Sequence, residues 1–289
     1  MNKQLLKVVE RAVRSAQQLF PLNPSWLHLH QHYNIGRTLG NKLELTPDDK
    51  ANLSALVKAE HGIDLTLCSL AEFAGMHREA VLAHATHEKL AGLAVKKDRL
   101  AVKATTGNTL KINGGSYLLP DYGTWDIGWA DLHSTAHRCV LVVENFRCFD
   151  HLNAMRLDLP EPYADPLVLF RGDNYYRQDS VRQCLAALNL PVLVLADLDP
   201  QGLVIVQSFG AVALVAPAFE VLAAAFGDQA IANPQLYSQQ LPGCQTALAH
   251  SPYAVVQQLW RLMQTHQAGI VQEHGLQKDW IWTVHELVH

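Results

Sequence analysis

Val140-Leu-Val-Val143-Glu144-Asn145, Leu167-Val-Leu-Phe170-Arg171-Gly172-Asp173 and Val192-Leu-Val-Leu-Ala196-Asp197-Leu-Asp199-Pro-Gln-Gly202 lie in one stretch, Cys139 to Leu203. Each is a short apolar run closed by polar or turn residues. That is how a strand buried on both faces of a parallel sheet is written. Helical spacing over Ser180 to Leu188 separates the second run from the third, giving an alternation of strand and helix. The predicted class is therefore α/β. In such a sheet the functional crevice lies beyond the carboxyl ends of the strands. Glu144, Asp197 and Asp199 are expected there.

Working outward, Ala211-Val-Ala-Leu-Val215 reads as a fourth strand, Ala218 to Phe226 as a helix, and Pro252 to His266 as a longer one. Ile270-Val-Gln-Glu273 opens a further helical piece, and Trp280-Ile-Trp282 is an apolar anchor. The chain of 289 residues has room for roughly two domains, at about 100–200 residues each. Three regions are expected: an N-terminal helical part over 1–60, a winged-helix-like part over 61–120, and an α/β domain over 138–289.

The front of the chain carries several local signals. Leu5, Val8, Val9, Ala12, Val13, Ala16, Leu19 and Phe20 share one face of a helix over 3–20. Thr46-Pro47-Asp-Asp49 is a helix start, with an N-cap, a proline at the first position and acids in the first turn. Ser69-Leu-Ala-Glu-Phe-Ala-Gly75-Met-His-Arg78-Glu-Ala-Val-Leu82 has helix-turn-helix character, open to both a DNA-reading and a purely structural use. Leu100 to Ala104 and Thr109 to Ile112 alternate around Thr106-Gly-Asn108, which predicts a β-hairpin. A helical unit followed by such a hairpin is the order of a winged helix. His28-Leu-His30-Gln-His32 alternates as on one face of a strand; a histidine triplet can hold zinc, but no cysteine or carboxylate nearby completes a ligand set.

Residues 1–111 hold 15 lysines and arginines against 10 acids, and residues 112–289 hold 8 against 17. A basic front joined to an acidic back suits a polyanion-binding module beside one whose carboxylates use cations, although solvated lysines on helices give the same asymmetry. Arg78, Lys89, Lys96, Lys97 and Arg99 are the candidate phosphate contacts. Five scattered cysteines with no Cys-x-x-Cys read as reduced thiols, and no long apolar stretch opens the chain or reaches the ~18 residues of a membrane span. The expectation is a cytoplasmic chain without a membrane segment.

Carboxylates converging at a sheet edge repel and raise one another's pKa, a cost that a divalent cation removes. Oxygen ligands without Cys or His favour Mg²⁺ or Mn²⁺ over zinc, and such a centre is suited to phosphodiester hydrolysis. Each acid can also be no more than a helix cap; Asp199-Pro200 has the form of one.

Val142-Val-Glu144-Asn145, followed some fifty residues later by Asp197-Leu-Asp199-Pro-Gln-Gly202, resembles the Toprim domain, the Mg²⁺-binding, Rossmann-like fold of topoisomerases and primases. The variants are most similar to the branch that holds the topoisomerase VI A subunit and the nuclease subunit of Wadjet-type, SMC-like plasmid-defence complexes, where a winged helix precedes Toprim. Arg78-Glu-Ala and His87-Glu-Lys-Leu90 are similar to a segment of that nuclease. The resemblance implies that Glu144, Asp197 and Asp199 are catalytic metal-binding acids, that Glu273 is a further ligand, and that Asn145 and Gly202 support them. It also implies a DNA substrate, an SMC-like ATPase and kleisin as partners, and a homodimer. The topoisomerase needs a tyrosine in its winged helix, whereas Tyr33, Tyr117 and Tyr122 fall elsewhere, so hydrolysis by a nuclease is the expectation. A topoisomerase-like subunit and a non-catalytic DNA-binding scaffold are the alternatives.

Overall fold

The computed structural model describes residues 1, 3–75, 96, 98–105, 107–173 and 175–288. It is a mixed α/β chain in two compact units, Met1–Val95 and Lys96–His289.

The first unit runs α1 (Lys3–Arg14), β1 (Leu19–Pro21), α2 (Pro24–Tyr33), β2 (Arg37–Leu39), β3 (Lys42–Glu44) and α3 (Pro47–His61). The first helix stops six residues short of the predicted end, because Leu19–Pro21 pairs with β3 at the edge of a small antiparallel sheet ordered β1-β3-β2. Thr46 caps α3 as the sequence indicates: its hydroxyl accepts from Asp49 N–H and the Asp49 carboxylate returns to Thr46 N–H, a reciprocal capping box. Leu6, Leu29, Leu43, Leu53 and Val57 close the core between these elements.

The histidine run lies on α2 and not on a strand. Asn23 accepts from Trp26 N–H at 3.1 Å, Pro24 sits in the first turn, and Trp26 and Leu29, three apart, are buried. A capped start and an i, i+3 apolar pair outweigh the polar-apolar alternation of five residues. In the helix-turn-helix candidate, Glu72–Gly75 forms a single 3₁₀ turn; the second helix, with Arg78, lies outside the described residues, as do Lys89 and Lys97.

The second unit is built on an eight-stranded mixed sheet with the order β7-β4-β10-β8-β11-β12-β13-β9. Its strands are β4 (Arg99–Ala104), β7 (Trp125–Gly128), β8 (Cys139–Val143), β9 (Arg156–Asp158), β10 (Pro166–Phe170), β11 (Val192–Leu195), β12 (Ala213–Pro217) and β13 (Ile281–Glu286). The central four, β10, β8, β11 and β12, are parallel. Around them run α4 (Phe146–Asp150), α5 (Gln178–Leu188), α6 (Pro200–Ser208), α7 (Phe219–Gly227), α8 (Pro234–Ala249) and α9 (Ala254–His266). Both faces of the sheet are covered. Along β8, Val140 and Val142 enter one apolar layer, while Cys139, Leu141 and Val143 enter the other. Two buried faces are why these strands appear in the sequence as unbroken apolar runs.

The predicted hairpin of 100–104 with 109–112 does not form. Leu100 to Ala104 is instead an inner strand, antiparallel to both β10 and β7. Leu110–Ile112 (β5) pairs with Gly115–Tyr117 (β6) around Asn113 and Gly114, both with positive φ. The four residues of β4 that are buried on both faces, Leu100 to Lys103, belong to a sheet interior and not to an exposed wing. The sheet thus reaches back to Arg99, ahead of the expected start at 138.

Candidate functional site

Strand order decides which acids meet. β8 and β11 are neighbours in register Val143↔Leu195, so the residues that follow them emerge side by side. Glu144 N–H donates to Leu195 C=O at 2.9 Å, and the Glu144 Oε2 accepts Asp197 N–H at 3.0 Å. On the other side of β8, Arg171 follows β10; its N–H donates to Val143 C=O at 2.8 Å and its Nη2 lies 3.6 Å from Glu144 Oε1.

The loop after α9 completes the cluster. Leu198 and Ile270 exchange backbone hydrogen bonds, both at 2.8 Å, and this bridge carries Gln272 and Glu273 to the strand ends. Gln272 N–H then donates to Asp197 Oδ1 at 2.7 Å. Asn145 Nδ2 donates to Glu273 Oε1 at 2.7 Å, while Asn145 Oδ1 caps α4 by accepting from Cys148 N–H at 3.2 Å. Glu273 Oε2 and Arg171 Nε are buried without a hydrogen-bond partner among the described residues.

Asp199 is only 3% exposed, and both of its oxygens are engaged. Oδ1 accepts Gly202 N–H at 2.7 Å as the N-cap of α6, and Oδ2 accepts Gln240 Nε2 at 2.7 Å. The helix-cap role is thus realised. Gly202 has its own reason: a Cβ there would sit 1.9 Å from the Asp197 carbonyl oxygen, so no larger residue fits without moving the turn.

Burial pushes the Asp197 carboxyl up to about 7, and the negative charges of Glu144, Asp199 and Glu273 add to the effect against the Gln272 hydrogen bond. Glu144 is raised by burial too, with Asp197 N–H and Arg171 acting in the opposite sense. Burial also raises Asp199. One half-buried guanidinium is set against this concentration of acid.

The donor set is all oxygen, which fits a hard divalent cation and not zinc. An unpartnered, buried Glu273 oxygen and the raised Asp197 are what such an ion would relieve. The ligands are not drawn into a closed cage: no group of three Asp, Glu, His or Cys side chains among the described residues converges on one point. Of the residues expected at this site, the structure brings Glu144 and Asp197 into contact, gathers Glu273 through Asn145, and turns Asp199 toward its helix.

The expected phosphate contacts fare differently. Lys96 and Arg99 both pair with Asp126, Lys96 at 2.9 Å, and Lys96 also bonds to the Tyr176 hydroxyl. The two cations share one carboxylate within the unit. Arg171 and Gln240 were missed by the sequence reading. Arg171 had a usable signal, since it follows its strand as Glu144 follows the neighbouring one; Gln240, on α8, had none.

A family model described as a domain of unknown function, DUF7281, matches residues 97–281, which hold seven of the eight strands of this sheet and reach only the first residue of β13. No curated protein matches the chain. On the strength of that match, over more than half of its length, the chain belongs to the DUF7281 family.

Proposed function

We propose that the second unit is a Toprim-like, divalent-metal-dependent phosphodiesterase centre that cuts DNA. The observation that carries this reading is the clasp of Glu144 on the backbone of Asp197, with Glu273 gathered beside them, which concentrates half-buried carboxylates at the carboxyl edge of a parallel sheet.

Glu144, Asp197 and Glu273 would hold Mg²⁺ or Mn²⁺, with Asp199 joining them by release from Gln240. The bound ion would supply Lewis-acid stabilisation of charge on the phosphate and a more acidic water. Arg171 places a guanidinium beside the same acids, suited to a phosphate oxygen. Asn145 holds Glu273 in place, and Gly202 lets α6 start against the Asp197 carbonyl. By the resemblance of its motifs, the chain acts on DNA as a homodimer in the cytoplasm, as the nuclease subunit of an SMC-like ATPase and kleisin defence complex, with the first unit and Arg78, Lys89 and Lys97 contributing to DNA binding. No helix among the described residues is long and apolar enough to cross a membrane.

A second reading, a non-catalytic DNA-binding scaffold, is favoured by one observation: both Asp199 oxygens already serve its helix and Gln240. Calorimetric titration of Mn²⁺ into wild type and Asp197→Asn, paired with plasmid cleavage, separates the two. The nuclease reading expects Mn²⁺ binding and cleavage by wild type, with both lost in the variant. A wild type that takes up no Mn²⁺ overturns it.

A further inference from the structure

The histidine run on α2 is left over by this reading, and its geometry differs from what the sequence suggests. His28 and His32 are one helical turn apart, where Cβ atoms lie about 5–6 Å from each other. Their rings stand side by side, with centroids 4.2 Å apart and planes tilted by 36°. Both residues are exposed. His30 points elsewhere: its Nδ1 lies 3.0 Å from the Ile35 carbonyl oxygen, beyond the end of the helix.

The helix that presents the pair is fixed. Trp26 and Leu29 anchor another face of it in the core of the first unit, Asn23 caps its start and Asn34 closes its end in the left-handed conformation. Tyr33 meets the His28 ring edge-on at 6.3 Å and donates to Glu60 at 3.4 Å. Two imidazoles at i and i+4 on a rigid helix are the spacing by which zinc-binding helices deliver two nitrogen ligands to one ion.

From this arrangement we infer that His28 and His32 form a two-ligand site for a divalent transition-metal ion, Cu²⁺, Ni²⁺ or Zn²⁺. Imidazole selects these ions over Mg²⁺ and Mn²⁺, and affinity rises along the series to Cu²⁺. Two protein ligands fall short of the four of a structural zinc site, so water fills the remaining positions and the ion exchanges. The site is separate in chemistry from the oxygen-lined acids of the second unit and does not depend on their role.

The test is calorimetric titration of Ni²⁺ into the full chain in excess Mg²⁺, which saturates oxygen sites and leaves imidazole free. Wild type and His30→Ala are expected to bind one equivalent that is lost, or at least tenfold weaker, in His28→Ala and His32→Ala. With Cu²⁺, the electron paramagnetic resonance spectrum of wild type is expected to show two equatorial nitrogens, and that of each single variant at His28 or His32 one fewer. Ni²⁺ should also raise the Tm of wild type and not that of the double variant, as a ligand specific to the folded chain does. Unchanged stoichiometry and affinity in His28→Ala/His32→Ala, or an equal loss in His30→Ala, overturns the inference. Both positions are exposed, so these variants fold.

Discussion

Glu144 Oε2 accepts the backbone N–H of Asp197 at 3.0 Å, so the acid that ends one strand clasps the loop that ends its neighbour. The hydrogen bond ties a charge to a charge-bearing loop, and burial adds to the cost of ionising both. Five predictions follow from this arrangement and the groups around it.

The first concerns pH. Asp197 is raised in the folded chain to about 7 from an ordinary value of 3.8. An acid with a raised folded pKa binds more protons folded than unfolded between those two values, so stability falls as pH rises from about 4 to 7 and stays low above it. Metal-free Tm is therefore expected to drop across that window. Asp197→Asn, which keeps an oxygen for Gln272 N–H, should flatten the drop and stabilise the metal-free protein at pH 8 by up to about 3–4 kcal/mol. A pH profile identical to wild type would contradict the burial of this charge.

Asp199→Asn distinguishes cap from ligand. Asparagine caps helices as well as aspartate, but its Nδ2 would face the Gln240 Nε2 donor, so urea denaturation should show a loss of about 1–2 kcal/mol for Asp199→Asn and about 2–3 kcal/mol for Asp199→Ala, which loses the cap as well. Cooperative folding with lost Mn²⁺ binding in Asp199→Asn would place the carboxylate on the metal; retained binding would leave it the cap of α6 and the partner of Gln240.

Asn145→Ala removes two hydrogen bonds at once, the cap of α4 and the hold on Glu273. A loss of about 1–3 kcal/mol is expected in equilibrium unfolding. Asn145→Asp keeps the cap but sets a like charge against Glu273, and should lower cleavage more than it lowers stability.

Gly202→Ala should be the most damaging small substitution in the second unit, because its Cβ meets a backbone oxygen at 1.9 Å. Relief requires moving α6 away from Asp197, and a loss above about 3 kcal/mol or insoluble expression is expected. Gly243→Ala is the control. It sits inside α8 with nothing within 4 Å of the added carbon, and should stabilise by about 0.5–1 kcal/mol.

Asp126→Ala should release Lys96 and Arg99 from their shared partner. If these two residues contact phosphates, the variant elutes from heparin at higher salt than an Asp131→Ala control, which removes the same charge elsewhere. Equal elution of the two variants would remove Lys96 and Arg99 from the DNA-binding set.

Parts of both units were readable along the chain. The apolar runs at 140–143, 167–170 and 192–196 became β8, β10 and β11, and Thr46 capped α3, because apolar runs and caps are written in a few consecutive residues. The errors lie where a local pattern allowed two answers. Leu100 to Ala104 alternates as well in a sheet interior as in a hairpin, and only its pairing with β10 decides. His28 to His32 alternates like a strand, yet a cap and two buried residues make it a helix that pairs two of its three histidines.

By itself the sequence determined the four central strands, the class, and the presence of acids at strand ends, since those depend on period and on neighbours within one element. What only the tertiary structure decided is which acids meet and what each oxygen does. Asp197 finds Glu144 at a separation of 53 residues, Gln272 reaches Asp197 across 75, and Asn145 holds Glu273 across 128. Contacts at such distances follow from strand order and from the Leu198–Ile270 bridge, neither of which leaves a mark on adjacent residues. The same holds for Asp199, whose second oxygen is taken by Gln240, 41 residues away on another helix; a carboxylate's chemistry is set by the donors that folding brings to it.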